Sequence, residues 1–340
     1  MNEAFARQVR SDWGFYAFIF GYAALVGCIA VSIGEADKFV PLVYYPRWIG
    51  GLITVALYIV AAIGIRSLFD KEPGRYLIST LKSLAAPQYL AGLLLFMTLA
   101  LYHGVFTSMK TMLTDFTPFH WDPFLANLDA AIHGRDAWLW LRFLEPVTSI
   151  LRPIYGDTWF LLIALIGLLV CTWPRLREVR SQYIWTFLLA WSVLGNFLAG
   201  VFMSGGPIFY QRLVGDDRFA GIARHLETLP GVNPERMYPN ILWTAYTEDR
   251  SGFGTGISAF PSMHLSMATL FVLFAFRVDR RLGFAMLAYL VVIMAGSVHL
   301  GWHYGVDGYF SIAATVLIWK AVGWAQRMPA MQWGTPATAS

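Results

Sequence analysis

The sequence predicts an all-α fold, a polytopic membrane helix bundle of about eight spans. Three observations carry this. Of 340 residues, 57% are hydrophobic and only 14% are charged, against about 25% charge in an ordinary soluble domain. Fourteen Trp, sixteen Tyr and twenty-five Phe add an aromatic load suited to membrane interfaces. The apolar residues also fall in long runs, and a helix of roughly 20 such residues crosses a hydrocarbon core of about 30 Å.

Eight stretches qualify: 13–33, 48–66, 87–109, 156–173, 183–203, 261–277, 282–300 and 304–324. The sixth and eighth begin with polar residues. Backbone groups in lipid must pair internally, so helices are the expected element throughout. The first run is read as a retained helix, since no A-x-A-like cleavage site follows it. Segment 110–155 contains "FTPFHWDPFLANLDAAIHGRDAWLWLRFLEP" and suits short amphipathic helices on the membrane surface. Segment 204–258, rich in Gly, Pro, Asp and Arg, reads as a looped cap. The end of the chain, 325–340, reads as a disordered tail.

Charge and cysteine content narrow the partners. The formal charge of +4 comes with no Lys/Arg block, so no nucleic acid partner is expected. Cys28 and Cys171 lie in apolar runs, which argues against a disulfide framework. With eight spans both termini share one side. The loops at 67–86, 174–182 and 278–281 on that side hold "RSLFDKEPGRYLISTLK", "RLREVR" and "RVDRR". Short Lys/Arg-rich loops mark the cytoplasm, so the two long segments face outward. The absence of N-x-S/T sequons points to a bacterial inner membrane, with the outer face toward periplasm or exterior.

Topology then gathers four polar clusters at one outer depth. They are "SGGPIFYQR" after span five, "FPSMH" at the start of span six, Ser297 and His299 ending span seven, and "HYGVD" opening span eight. His303 and Asp307 are i, i+4, the spacing that stacks two side chains on one helix face. Asp307 would accept a hydrogen bond from Nδ1–H of His303 and leave Nε2 free to attack, the orienting logic of a triad. His264 would be the proton donor to a leaving alcohol. Ser262 and the amides at the start of span six would favour an anion. Each stretch alone also has a plain reading: Pro-Ser-Met-His as a helix cap, His-x3-Asp as a structural pair, and Arg212 as a solvated charge. Lys110, His103, His120 and His133 read as structural or interfacial.

These motifs resemble the phosphatidic acid phosphatase type 2 superfamily. "FPSMH" is similar to its second signature, P-S-G-H, and "HYGVD" to the end of its third, S-R-x5-H-x3-D. "AFPSMH", "HYGVD" and "GGPIFY" together resemble most the branch containing inositol phosphorylceramide synthase. The likeness covers 87–324, implying a six-helix core with a two-span extension, 1–86, in front. It implies His303 as nucleophile toward phosphorus, Asp307 as its orienter, His264 as acid then base, and Ser262 as a phosphate contact, with no metal and no cofactor. Ser297 stands where the family has a phosphate-binding arginine, Met263 where it has glycine, and K-x6-R-P is absent as such. Arg212, Tyr210 and His299 become the candidates for phosphate contact beside Ser297. The function implied is transfer of a phospho-headgroup from a phospholipid to a lipid alcohol through a phosphohistidine, with membrane lipids as donor and acceptor. The alternative is a metal-independent lipid or polyprenyl phosphate phosphatase with the same site. A remote third is a haem-binding redox protein, since histidines in spans can be axial ligands. Neither the sequence nor the resemblance fixes an oligomeric state.

Overall fold

The computed structural model describes residues 3–328 apart from 85, 231, 234 and 235. The described residues are helical, with no strand among them. Each expected span is a helix. They are α1 (Trp13–Ser32), α2 (Tyr45–Ser67), α3 (Pro87–Phe116), α5 (Asp157–Thr172), α6 (Arg177–Leu189), α7 (Met263–Val278), α8 (Arg280–His299) and α9 (Gly305–Ala325), with α4 (Asp122–His133) between α3 and α5. Seven of the spanning segments are long and apolar enough to cross a membrane. The sixth expected span, α7, has only 16 residues, about 24 Å at 1.5 Å per residue. It is therefore shorter than a full crossing, and the buried stretch 259–262 leads into it. The expected tail lies outside the described residues from 329 onward.

The bundle is a multi-pass membrane core. Its interior is built from Tyr102 and Phe106 of α3, Trp159 of α5, Tyr183 and Phe187 of α6, and Leu270 and Phe271 of α7. The α6 backbone continues as a π-helix over Ala190–Leu198. That wider turn presents Trp191, whose ring is edge-on to Phe106 and whose Nε1–H donates to the Met267 sulfur at 3.0 Å. At the far end from the histidine motifs, Arg180 clasps Asp12 through two bonds of 2.5 and 2.7 Å. The α2 helix is different: its apolar side chains Ile53, Leu57, Tyr58, Val60 and Ile65 lie exposed, as expected of a lipid-facing helix.

Segment 110–155 holds the end of α3 and then a series of short helices, at Asp122–His133, Ala137–Trp140, Arg142–Val147 and Thr148–Tyr155. The α3 helix runs on to Phe116, then α4 packs across the end of the bundle. The cap at 204–258 is a chain of short helical turns, including Tyr210–Val214, Ala220–Glu227 and Tyr238–Thr247.

Candidate active site

The fourth expected cluster, "HYGVD", departs from the helix reading. His303 and Asp307 do not share a helix: α9 begins at Gly305, and His303 sits in the turn before it. The reason is Gly301, at φ 75°, a left-handed conformation that ends α8. The Trp302 N–H reaches back five residues to the Ser297 carbonyl at 3.0 Å, and the His303 N–H follows at 3.3 Å. The turn still delivers the pair. His303 Nδ1 stands 3.5 Å from Asp307 Oδ2, longer than the 2.7–3.2 Å of a formed hydrogen bond. Asp307 Oδ2 accepts the Tyr304 N–H at 3.0 Å. Asp307 Oδ1 and His303 Nδ1 are buried without a hydrogen-bond partner.

His264 lies in the first turn of α7, with its ring held between two others. Tyr155 stacks on one side at 4.1 Å and 13°, and Trp159 on the other at 4.1 Å and 26°. The Trp159 Nε1–H also donates to the His264 carbonyl at 3.3 Å. The His264 and His303 ring centroids are 6.1 Å apart, with the ring planes tilted by 60°. Ser262 caps α7: its Oγ accepts the Leu265 N–H at 3.4 Å. Its own N–H donates to Ser311 Oγ at 2.8 Å, and Ser311 O–H donates to the Asp307 carbonyl at 2.6 Å. This relay ties the start of α7 to the start of α9.

The Gly-Gly-Pro loop clamps both histidine stretches. Ala259 N–H donates to the Ser204 carbonyl at 2.8 Å, and Phe260 N–H to Ser204 Oγ at 3.1 Å. Ile208 N–H reaches the Gly301 carbonyl at 2.8 Å. Gly206, at φ 88°, lies so close to Trp302 that a Cβ would stand 2.6 Å from its carbonyl oxygen, so a side chain there would displace the His303 turn.

Two carboxylates of α4 hold this assembly, and the sequence reading had assigned neither. Asp122 accepts the Gly205 and Gly206 N–H groups at 2.8 Å each and the Tyr304 O–H at 2.9 Å. Burial raises its carboxyl above the ordinary range, while those three donors pull the other way. Asp129 accepts the Val306 N–H at 3.2 Å and the Ala137 N–H at 3.3 Å, placing a negative group at the start of α9. The sequence of α4 gave no spacing signal for this, because, Ala137 apart, the partners lie about eighty to 180 residues away.

The remaining candidates fall elsewhere. Arg212 is exposed, with Nη2 bonded to Asn240 Oδ1 at 2.6 Å and its guanidinium over Trp243. Tyr210 is buried against Phe219 and beside Arg218, which is itself held by Asp136. Ser297 O–H donates to the Met294 carbonyl at 2.8 Å. His299 Nε2 is 2.8 Å from Thr148 Oγ1, which also meets His225 Nε2 at 2.9 Å, a cluster separate from the His264–His303 pair. His103 Nδ1 bonds the Leu99 carbonyl within a cage of aromatic rings, His120 Nδ1 bonds the Pro118 carbonyl, and His133 bridges the Asp129 carbonyl and Tyr309.

A family model described as the PAP2 superfamily matches residues 125–323, more than half of the chain. The chain belongs to the PAP2 superfamily. No curated protein and no solved structure matches it. Membership makes the chain an enzyme of the phosphatase and phosphotransferase type. The matched region begins in α4 and runs to the end of α9, so it takes in His264, His303 and Asp307.

Proposed function

We propose that this PAP2-superfamily chain is a lipid phosphotransferase, moving a phospho-headgroup from a phospholipid to a lipid alcohol, most like the inositol phosphorylceramide synthase branch. The observation that carries the chemistry is the close pair of imidazoles, centroids 6.1 Å apart, with a buried carboxylate beside one of them. His303 Nε2 attacks phosphorus and forms the N–P bond as the donor's P–O bond breaks. The departing alkoxide takes its proton from protonated His264. Neutral His264 then removes the proton of the acceptor alcohol, whose oxygen attacks phosphorus and releases neutral His303. Asp307 fixes the ring and stabilises its cationic form during transfer. The 3.5 Å separation tightens on binding, as catalytic hydrogen bonds of ligand-free sites commonly do.

Transfer is favoured over hydrolysis by two features. The rings of Tyr155 and Trp159 wall the His264 side, which limits access of water to the intermediate. Ser297 and Arg212 bring no cation to the histidine pair, which suits a singly charged phosphodiester better than a monoester dianion. Hydrolysis of a lipid or polyprenyl monophosphate through the same intermediate is the second reading. The site end bears the long cap and the opposite end the Lys/Arg-rich loops, which supports a site on the extracytoplasmic face and both termini in the cytoplasm.

Product analysis tests this. Wild type and His303→Ala are incubated in EDTA with labelled phospholipids and lipid phosphates, with and without lipid alcohols. The expected result is headgroup on a new alcohol with wild type, and a loss of at least about 10³-fold in His303→Ala with normal insertion and purification. Free phosphate from a monoester would make the chain a phosphatase. Wild-type turnover in His303→Ala would remove the nucleophile assignment.

A further inference from the structure

The histidine pair lacks an obvious partner for the charge of a phosphate ester, and two residues outside the motifs fill that gap. We propose that Lys110 and Tyr155 form an anion subsite beside His264 that holds the non-reacting oxygens of a singly charged phosphodiester. This rests on the phosphotransferase reading above and names the groups that recognise its substrate.

Tyr155 is 4% exposed, and its ring is stacked on His264. Its hydroxyl is buried with no hydrogen-bond partner, although a buried phenol nearly always finds one. Near the same imidazoles, Asp307 Oδ1 is also unpartnered. The unpartnered phenolic O–H, stacked against His264, marks a place for an acceptor group of a guest.

Lys110 comes from α3, outside the matched residues 125–323. Its backbone and Cγ lie against Gly256, where a Cβ would come within 2.9 Å, in the strand of loop that leads to Pro261. One turn earlier on the same face, Phe106 and the sulfur of Met263 crowd the same point at Gly195, so this face of α3 looks toward the start of α7. The carboxylates near the outer end of α3 are already taken: Lys38 binds Glu35, Asp115 and Asp249. Lys110 itself makes no ion pair or hydrogen bond to a described residue. One ammonium and one phenolic O–H match one negative charge and its second oxygen.

Binding is measured by thermal unfolding of the full chain in detergent, titrated with dibutyl phosphate and, separately, with inorganic phosphate. Wild type is expected to bind the diester better than inorganic phosphate. Lys110→Met should weaken the diester about tenfold or more, and Tyr155→Phe several-fold, with the unliganded Tm unchanged or higher because neither group has a partner in the fold. Lys110→Arg should retain most of the binding. Diester binding equal to wild type in both Lys110→Met and Tyr155→Phe would overturn the subsite, as would a preference of wild type for inorganic phosphate. His303→Ala turnover, measured alongside, separates the two failures. If that variant is inactive while the other two bind as wild type, the subsite alone is wrong. If it turns over normally, the phosphotransferase reading falls first and the subsite with it.

Discussion

At the scale of single residues, His264 and His303 are held by unlike means. His264 has a ring clamped between Tyr155 and Trp159, so its plane is set by stacking rather than by a hydrogen bond. His303 is set by its backbone, through the Ser297 carbonyl, and by the nearby Asp307. The proposed roles make different predictions. His264→Ala should lower the rate by about 10²–10⁴ for an alkyl leaving group and by much less for a nitrophenyl one, which leaves without a proton. An equal loss with both leaving groups would rule out the acid role. Asp307→Asn should cost less than His303→Ala, since it removes an orienting charge and leaves the nucleophile; a cost equal to or above that of His303→Ala, with the protein folded, would reverse the assignment.

Among the elements, α4 and the Gly-Gly-Pro loop decide where the site stands. Asp122 joins three pieces of chain: the Gly205–Gly206 amides, Tyr304 beside His303, and α4 itself. Asp122→Ala would leave two buried N–H groups without acceptors, each worth about 1–3 kcal/mol. The expected result is a clear fall in Tm in detergent together with a fall in kcat, while Tyr304→Phe, which removes one donor and leaves both amides satisfied, should cost less on both measures. An Asp122→Ala protein as stable as wild type would show that the loop is held by other contacts. The "FHWDPFLANLDAAIHG" stretch thus acts through long-range hydrogen bonds, which composition and amphipathic pattern do not encode. The hairpin of α8 and α9 was legible in outline, but its Gly301 turn moved His303 off the helix where spacing alone had put it.

For the whole molecule, α1 is part of the bundle. Phe15, Ile19, Val26 and Ala30 are buried, Tyr22 O–H donates to Asn196 at 2.6 Å, and Asp12 holds Arg180. The orientation is tested by accessibility. Cys28 and Cys171 are both free thiols, so a Cys-less background is made first. Asp216→Cys, in the cap, should react with a membrane-impermeant maleimide on intact spheroplasts. Arg177→Cys, at the opposite end, should react only after permeabilisation. The reverse pattern would place the site in the cytoplasm.

What the sequence determined by itself was the class of the molecule, its spanning helices and the two histidine motifs. Transfer of apolar side chains into lipid is a local, additive property, so a run of residues such as those of α1 or α8 declares itself without its neighbours. The tertiary structure alone decided which polar groups meet. It put Asp122 and Asp129 on backbone amides far along the chain, placed Arg212 on Asn240 and His299 on Thr148, and set the Tyr155 ring against His264. Such pairings depend on packing angles and turn geometry summed over the whole bundle, and a buried hydrogen bond carries no mark in the spacing of the residues that make it.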